Sequence, residues 1–574
     1  MDKWERATFV AFILGVVALI VERAEPSPPL AALIHVLDFA ILALIIGSTI
    51  AEIAAAKYRL NYLKTHWAAL TFTAAFTGLF LYAKFVTFFL EGSGSLNDVA
   101  VGLRNAFLLL KVFGRLRKLF KIVERLSAKP AQTVLVSFLL VIVAGALALM
   151  LPAATADGRG LRALDALFTA ASAVCVTGLV VVDTAVDLTR FGQSAVLILI
   201  QIGGLGIMLF SFFVMIALRK RLSLKDRLTA SYMLSEDDML GLSRSVRTIV
   251  LSTLGIEAAG ALALGLRFLT LGDAPSDAAF KGLFHAVSAF CNAGFALYSD
   301  SLESFRRDPI VTATIAGLII LGGISFGVIN DLKAWAASVL RGPRRGVWRV
   351  RRISGMNSRA VIALSAALVF IGFCGFYLLE HRRTMASYGL GEQYLAAFFQ
   401  SVTLRTAGFN SVPFGELRDA TLLFMVAFMF IGGASGSTAG GIKVNSLAAM
   451  LAYLAAFLRQ EKTPRIGRYS VSADKVGKSF LILFFGLAAV FSGTFVLSLS
   501  EDAPFIDLLF EATSAFGTVG LSTGLTPGLS DVGKWLIISL MFMGRLGPLT
   551  ILTAASAKGD RGTLEYPSGD LAIG

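Results

Sequence analysis

The chain has 574 residues, of which 56% are hydrophobic and 16% are charged, and its net charge is +14. Apolar segments long enough to cross a bilayer recur along it, which indicates an all-α polytopic membrane protein. Its three cysteines and four histidines show neither a disulfide framework nor zinc-binding spacing, which argues against a redox or zinc enzyme. Basic residues cluster in short loops between apolar segments, a pattern typical of cytoplasmic loops and not of a nucleic-acid-binding surface.

Residues 1–126 form an amino-terminal block of four predicted transmembrane segments. The segments cover about residues 7–23, 31–56, 66–90 and 99–126, and no small-residue cleavage site follows the first, so we expect it to be retained. The fourth segment carries the basic residues Arg104, Lys111, Arg115, Lys118, Lys121 and Arg125, which from Lys111 onward are three or four apart. This block resembles voltage-sensor domains, in which each charge couples by about 2.3 kcal/mol per 100 mV. Because the charges crowd near its end, an accessory helical bundle is the favoured interpretation and a voltage-sensor-like fold the alternative.

The rest of the chain repeats one design four times: a span, a short apolar half-helix with a glycine loop, and a second span. The predicted repeats cover residues 130–220, 245–340, 356–458 and 475–557, followed by a cytoplasmic tail at 558–574. The paired spans are predicted at 131–151 and 192–218, 246–271 and 309–338, 357–379 and 420–457, and 476–499 and 532–556. Long internal repeats indicate an internally symmetric assembly. We therefore expect a pseudo-fourfold arrangement around one pore.

The glycine loops are the candidate ion-selectivity filter. They are Val176-Thr177-Gly178, Asn292-Ala293-Gly294, Thr406-Ala407-Gly408 and Thr518-Val519-Gly520, each after a phenylalanine at the same offset. A half-helix too short to span lipid is stable at membrane depth only where protein encloses it. Glycine permits unusual backbone conformations, and inward-facing carbonyls can replace the hydration shell of an ion. We expect these loops to bind K+ mainly through backbone carbonyls, and Arg405 to turn away from the pore and hold its loop through Glu511 or a carbonyl.

Three motifs resemble the membrane subunit of the Trk/Ktr potassium-uptake family. They are the loop from Gly432 to Lys443, the segment Met543–Thr550 and the third filter loop, Arg405–Asn410. Five glycines within 432–441 disfavour a continuous helix, and a broken helix places polar backbone in an ion path. A charged residue in an apolar span, here Arg545, usually marks a pathway. The predicted gate comprises Gly432, Gly433, Ser435, Gly436, Ser437, Thr438, Gly440, Gly441, Lys443 and Arg545, although Lys443 has a second interpretation as a snorkelling side chain.

The resemblance implies a channel-like potassium uptake transporter and not an enzyme. It implies a homodimer in the inner (plasma) membrane, with cytoplasmic termini and a separate ring of nucleotide-binding regulatory subunits. The basic loops at 341–352 and 459–468 are the candidate docking surfaces for that ring. No covalent cofactor is expected; K+ is the transported ion and Na+ a candidate coupling or regulatory ion. The alternatives are the potassium-translocating subunit of an ATP-driven pump and a voltage-gated cation channel.

Overall fold

The computed structural model describes residues 130–206, 242–340 and 355–555, and helices dominate these ranges. The all-α class predicted from the sequence agrees with this architecture. Several predictions lie outside the described residues: the amino-terminal block at 1–126, the basic segment at 341–352 and the tail at 558–574.

The helices are numbered here in chain order. The first repeat contains α1 (Pro130–Leu149), α2 (Ala163–Cys175) and α3 (Arg190–Leu205). The second contains α4 (Leu242–Thr270), α5 (Pro275–Phe290), α6 (Pro309–Gly323) and α7 (Phe326–Leu340). The third contains α8 (Met356–Glu380), α9 (Leu390–Thr403), α10 (Asp419–Met429) and α11 (Val444–Leu458). The fourth contains α12 (Ala473–Ser500), α13 (Phe505–Gly517), α14 (Asp531–Leu546) and α15 (Pro548–Ala555).

One small sheet lies between the third and fourth repeats. Its strands are β1 (Arg465–Ile466) and β2 (Tyr469–Ser470), which pair antiparallel with Arg465 opposite Ser470. Strand β1 lies within the basic loop predicted at 459–468, and β2 follows directly after it.

Four of the described helices are long and apolar enough to cross a membrane: α1, α4, α8 and α12. Two bent pairs raise the number of described spans to six, because α6 and α7 meet at 114° and α14 and α15 at 92°. The segments predicted as spans at 309–338 and 532–556 therefore contain sharp bends, which the sequence analysis did not predict. The second bend has a local cause, since Gly547 has a φ of 79° and Pro548 has no N–H to continue the helix.

The predicted span at 192–218 lies within the described residues only as far as 206. Its helix, α3, ends at Leu205, and the following Gly206 has a φ of 81°. The span predicted at 420–457 is interrupted between α10 and α11 by the glycine-rich loop, as a broken helix requires.

The short helices α2, α5, α9 and α13 occupy the interior. Three of the phenylalanines that precede the filter glycines, Phe168, Phe284 and Phe510, are fully buried and anchor their half-helices by packing. The fourth, Phe398, is half-buried, and the neighbouring Phe399 fills the core. Large apolar side chains on α8 and α12 remain exposed, among them Phe491 at 75%. An exposed apolar surface on long apolar helices suits contact with lipid or with a second membrane helix.

Candidate functional site

The four predicted filter loops share an unusual backbone. Their glycines have positive φ: Gly178 (94°), Gly294 (70°), Gly408 (79°) and Gly520 (91°). The residue two positions earlier is also left-handed in each loop: Val176 (58°), Asn292 (60°), Thr406 (66°) and Thr518 (50°). This conformation costs a residue with a Cβ about 1–2 kcal/mol, so the surroundings must hold it. The sequence-based prediction assigned such freedom to the glycines alone.

The loops meet at these glycines in cyclic order. Each glycine lies against the carbonyl oxygen of the residue just before the next glycine: Gly178 against Ala293, Gly294 against Ala407, Gly408 against Val519, and Gly520 against Thr177. A methyl group on Gly178 would lie 2.5 Å from that oxygen and 3.0 Å from the Cα of Gly294. Comfortable carbon contacts need about 3.5 Å, so no side chain fits at these positions. The structure thus brings all four loops into one closed ring.

Serines in the half-helices hold three of the loops. The hydroxyls of Ser172 and Ser514 accept hydrogen bonds from the N–H groups of Gly178 (3.0 Å) and Gly520 (3.1 Å). The hydroxyl of Ser288 donates to the carbonyl of Phe295 at 2.7 Å. The sequence-based predictions do not include these serines. The sequence does contain a pattern that identifies them, because a serine occurs six positions before the filter glycine in three repeats. The third repeat has Val402 at that offset.

Several buried polar atoms at the ring have no hydrogen-bond partner among the described residues. They are the hydroxyls of Thr177, Thr406 and Thr518 and the side-chain oxygen of Asn292. Such atoms are rare in folded proteins because leaving them unpaired is costly. Together with the carbonyl oxygens they form a set of oxygen donors that suits a cation stripped of water.

The backbone between α10 and α11 folds back on itself. Gly432 donates its N–H to the carbonyl of Ile442 at 2.9 Å, and Val444 donates to the carbonyl of Gly433 at 3.0 Å. A methyl group on Gly440 would overlap the hydroxyl of Thr518. The loop, defined here as residues 431–442 and called the gate loop, therefore lies directly against the fourth filter loop.

The gate loop is also bonded to the break between α6 and α7. Ala434 donates its N–H to the carbonyl of Gly323 at 2.9 Å, and Thr438 donates its N–H to that of Gly322 at 3.2 Å. The hydroxyl of Thr438 lies 2.9 Å from the Gly322 oxygen and 3.1 Å from that of Phe290, at the end of α5. The carbonyls freed by the helix break are thus satisfied by a loop from the next repeat. The pair Gly322-Gly323 was the sequence signal for this contact.

Two cations bind the same loop. The guanidinium of Arg545 donates to the carbonyl of Thr438 in the gate loop and to that of Gly203 in α3, and lies 3.4 Å from the Gly204 oxygen. The ammonium of Lys443 donates to the carbonyl of Ala439 at 2.5 Å. Arg545 therefore joins the gate loop to the first repeat through α14. Charge-assisted hydrogen bonds of this kind are stronger than neutral ones.

A protein-family model described as TrkH, a cation transport protein, matches residues 103–565. This chain belongs to the TrkH family. The match includes most of the fourth predicted segment at 99–126, which the sequence-based prediction assigned to a separate amino-terminal block. The predicted family is thereby confirmed, and the chain is a transport protein and not an enzyme.

Relatives of the TrkH-family chain match most of its length. The Ktr system potassium uptake protein B of Bacillus subtilis is 39% identical over 458 residues, covering 79% of this chain and 99% of the relative. The potassium/sodium uptake protein NtpJ of Enterococcus hirae is 34% identical over 463 residues, covering 79% and 98%. The crystal structure of the potassium transporter TrkH from Vibrio parahaemolyticus has a similar fold, with a TM-score of 0.61, 19% identity, and coverage of 84% of this chain and 96% of that one.

In this TrkH-family member, the helix that follows the filter loop in three repeats (α3, α6 and α14), called here the second helix, carries a further glycine. Methyl groups on Gly203, Gly322 and Gly544 would overlap the carbonyl oxygens of Val174, Phe290 and Phe516, respectively. Each of these three carbonyls belongs to the residue four positions before a filter glycine. Each second helix therefore packs directly on the end of its half-helix. The corresponding glycine of the third repeat, Gly432, lies instead against the carbonyl of Gly440. The next residue is glycine in three repeats, at positions 204, 323 and 433, and arginine at 545.

Arg405 links two filter loops to the gate loop. Its guanidinium lies 3.4 Å from the carbonyl oxygen of Gly432, and its own carbonyl accepts from the side chain of Asn292 at 3.2 Å. Of the two partners predicted for Arg405, the structure shows the carbonyl. Glu511 instead accepts a hydrogen bond from the hydroxyl of Thr526.

Proposed function

We propose that this TrkH-family chain is a potassium uptake pore whose selectivity filter is the ring around Gly178, Gly294, Gly408 and Gly520. The observation that carries the proposal is the closed ring, in which a backbone carbonyl lies at each contact between loops. Carbonyl oxygens can replace the water around K+, and the carboxyl ends of four half-helices add partial negative charge. The potassium-uptake functions of the relatives support K+ as the ion, and the potassium/sodium relative keeps Na+ as a candidate coupling or regulatory ion.

The gate loop is proposed to close the pathway in the observed conformation. Arg545 and Lys443 neutralise its carbonyls, while Thr438 and Ala434 bind it to the α6–α7 break. An ion leaving the filter then meets backbone that is already paired and two positive charges. Conduction requires the loop to exchange these hydrogen bonds for water or for the ion.

The assembly is proposed to be a multi-pass homodimer of the inner membrane with cytoplasmic termini. A cytoplasmic nucleotide-binding regulatory ring would dock on the basic loops, of which 459–468 is described and contains strand β1. Membership in a cation transport family favours this arrangement over the subunit of an ATP-driven pump.

The filter proposal is tested by Gly408→Ser. A side chain there would overlap the carbonyl of Val519 and lie 3.0 Å from the Cα of Gly294, at a φ of 79°. Gly415→Ser in the same repeat is the matched control, because nothing lies within 4 Å of its added Cβ. We expect Gly408→Ser to lower the preference for K+ over Na+ by about tenfold, equivalent to about 1.4 kcal/mol, and the control to retain it.

The measurement is growth of potassium-uptake-deficient bacteria at low K+, together with Rb+ uptake in competition with Na+. An unchanged ion preference in well-expressed Gly408→Ser would overturn the filter. Failure of the wild-type protein to restore growth at normal expression would overturn the transport function itself.

A further inference from the structure

A buried carboxyl lies behind the second filter loop and takes no part in the ring or the gate loop. Glu257 is in the middle of α4 and only 3% exposed. Its Oε2 accepts from the side-chain amide of Gln201 on α3 at 3.2 Å, and the thiol of Cys291 lies 3.8 Å from its Oε1. In the described ranges no basic side chain forms an ion pair with it. An ionisable group at this depth in a membrane usually marks a functional position.

The surroundings of Glu257 can accommodate its protonated form. The Oε1 atom of Gln201 is buried without a hydrogen-bond donor among the described residues, and so is the hydroxyl of Thr253, one turn away on α4. A protonated carboxyl supplies an O–H donor of the kind that the Gln201 oxygen lacks, and an acid and a primary amide can pair through two hydrogen bonds. The ionised form instead accepts from the amide N–H and the thiol, while its buried charge has no contacting cation.

A chain of contacts through Cys291 links the carboxyl to the second filter loop and to Arg545, which binds the gate loop. Cys291 is the residue at the carboxyl end of α5, just before Asn292 of the second filter loop. A methyl group on Gly204 would overlap the sulfur of Cys291 and lie 2.7 Å from its Cβ. The carbonyl of Gly204 in turn lies 3.4 Å from the guanidinium of Arg545.

We propose that Glu257 is a proton-binding site that regulates ion passage through the second filter loop. This inference rests on the proposed function as a potassium pore. When ionised, Glu257 offsets the charge of Arg545 and lowers the energy of a cation at the adjacent end of the ring. Binding of a proton from solvent removes that negative charge. Uptake is therefore greatest with Glu257 ionised and falls as the pH falls through its titration.

Other titratable groups on the neighbouring elements have different partners. The ring of His285 on α5 bonds to the Lys281 carbonyl and accepts from the N–H of Leu297. On α4, Arg267 pairs with Asp308 at 2.7 Å, and Arg247 lies near the opposite end of the helix. Arginines remain charged across the physiological pH range. Helix α6 has no titratable side chain, and the residues facing Glu257 from α3 and α5 are Gln201 and Cys291.

The test is Rb+ uptake into proteoliposomes over a range of pH, comparing the wild type with Glu257→Gln. The matched control is Glu380→Gln, which removes another fully buried carboxyl, one that accepts hydrogen bonds from Thr384 (2.9 Å) and from the N–H of Arg418 (3.3 Å). We expect wild-type uptake to fall severalfold on acidification and Glu257→Gln to stay at the low-pH level throughout. Glu380→Gln should keep the wild-type profile. A pH profile that survives Glu257→Gln would overturn the proposal.

Difference infrared spectroscopy gives a second readout that does not depend on transport. Acidification of the wild-type protein should produce a carboxylic acid C=O band that is absent from Glu257→Gln and present in Glu380→Gln. If Glu257→Gln fails to assemble, Glu257→Asp should shift the midpoint of that band, and an unshifted band would overturn the assignment. Loss of uptake in the wild type with the band intact would instead count against the pore function.

Discussion

Removing the hydroxyl of Thr438 is the most direct test of how the gate loop is held. In Thr438→Val the shape is conserved, but the donor to the carbonyls of Gly322 (2.9 Å) and Phe290 (3.1 Å) is lost. The N–H of residue 438 still bonds Gly322, so the Phe290 oxygen loses this side-chain donor. One net hydrogen bond contributes about 1 kcal/mol, and an unsatisfied acceptor raises the cost to about 2 kcal/mol. A change of about 1–2 kcal/mol raises the open fraction roughly 5- to 30-fold.

The assay is Rb+ uptake by the purified protein in proteoliposomes without any regulatory partner. Thr438→Val should raise basal uptake at least severalfold, whereas Thr438→Ser, which retains the hydroxyl, should behave like the wild type. Equal basal uptake in Thr438→Val and the wild type, at equal thermal stability, would refute the role of this hydroxyl in holding the gate loop. An equally large increase in Thr438→Ser, which keeps the hydroxyl, would contradict the assignment to the hydrogen bond.

Two further substitutions test the packing of α14 behind the ring and the ion pair of Glu392 with Arg306 and Arg307. Gly544→Ala should displace α14 from the end of α13, because its methyl group would overlap the carbonyl of Phe516; we expect a cost of about 1–3 kcal/mol and a severalfold loss of K+ preference in Rb+/Na+ competition. Glu392→Gln should lower the melting temperature by about 2 °C at neutral pH. Burial raises the pKa of Glu392, but hydrogen bonds from Arg306 and Arg307 outweigh it and hold that pKa below its usual range.

The pH dependence of the stability change in Glu392→Gln follows from proton linkage. A carboxyl with a lowered pKa stabilises the fold above its unfolded-state pKa and loses that contribution as the pH falls through its folded-state pKa. The difference between Glu392→Gln and the wild type should therefore vanish in acid. The controls are Gly317→Ala, whose added Cβ meets nothing within 4 Å, and Glu461→Gln, from an exposed pair with Arg465. A pH-independent difference at Glu392, or an effect at Gly317 equal to that at Gly544, would contradict the reasoning.

The sequence predicted the loops better than the helices that support them. A loop such as Thr518-Val519-Gly520 is identifiable because its glycine and half-helix are local features repeated four times. The break after α6 was missed because 309–329 contains no charged residue, and hydropathy does not record which carbonyls are paired. Those of Gly322 and Gly323 are satisfied by the gate loop, and the hydroxyl of Thr438 reaches Gly322 across 116 positions of the chain. The Gly322-Gly323 pair is a local signal for a break in the helix, but it does not identify the distant partner of the freed carbonyls.

A single chain with four diverged repeats permits an asymmetric gate. Three repeats place glycine after the helix-packing glycine, at 204, 323 and 433, and only the fourth places Arg545 there. In a pore of four identical subunits the same arginine would occur four times around the axis, where like charges repel and a permeant cation would be excluded. One arginine can instead reach across to the carbonyls of Gly203 and Thr438 and bind two other repeats at once. Divergence between the repeats therefore allows one cation to bind the gate loop while the equivalent positions of the other three repeats carry no charge.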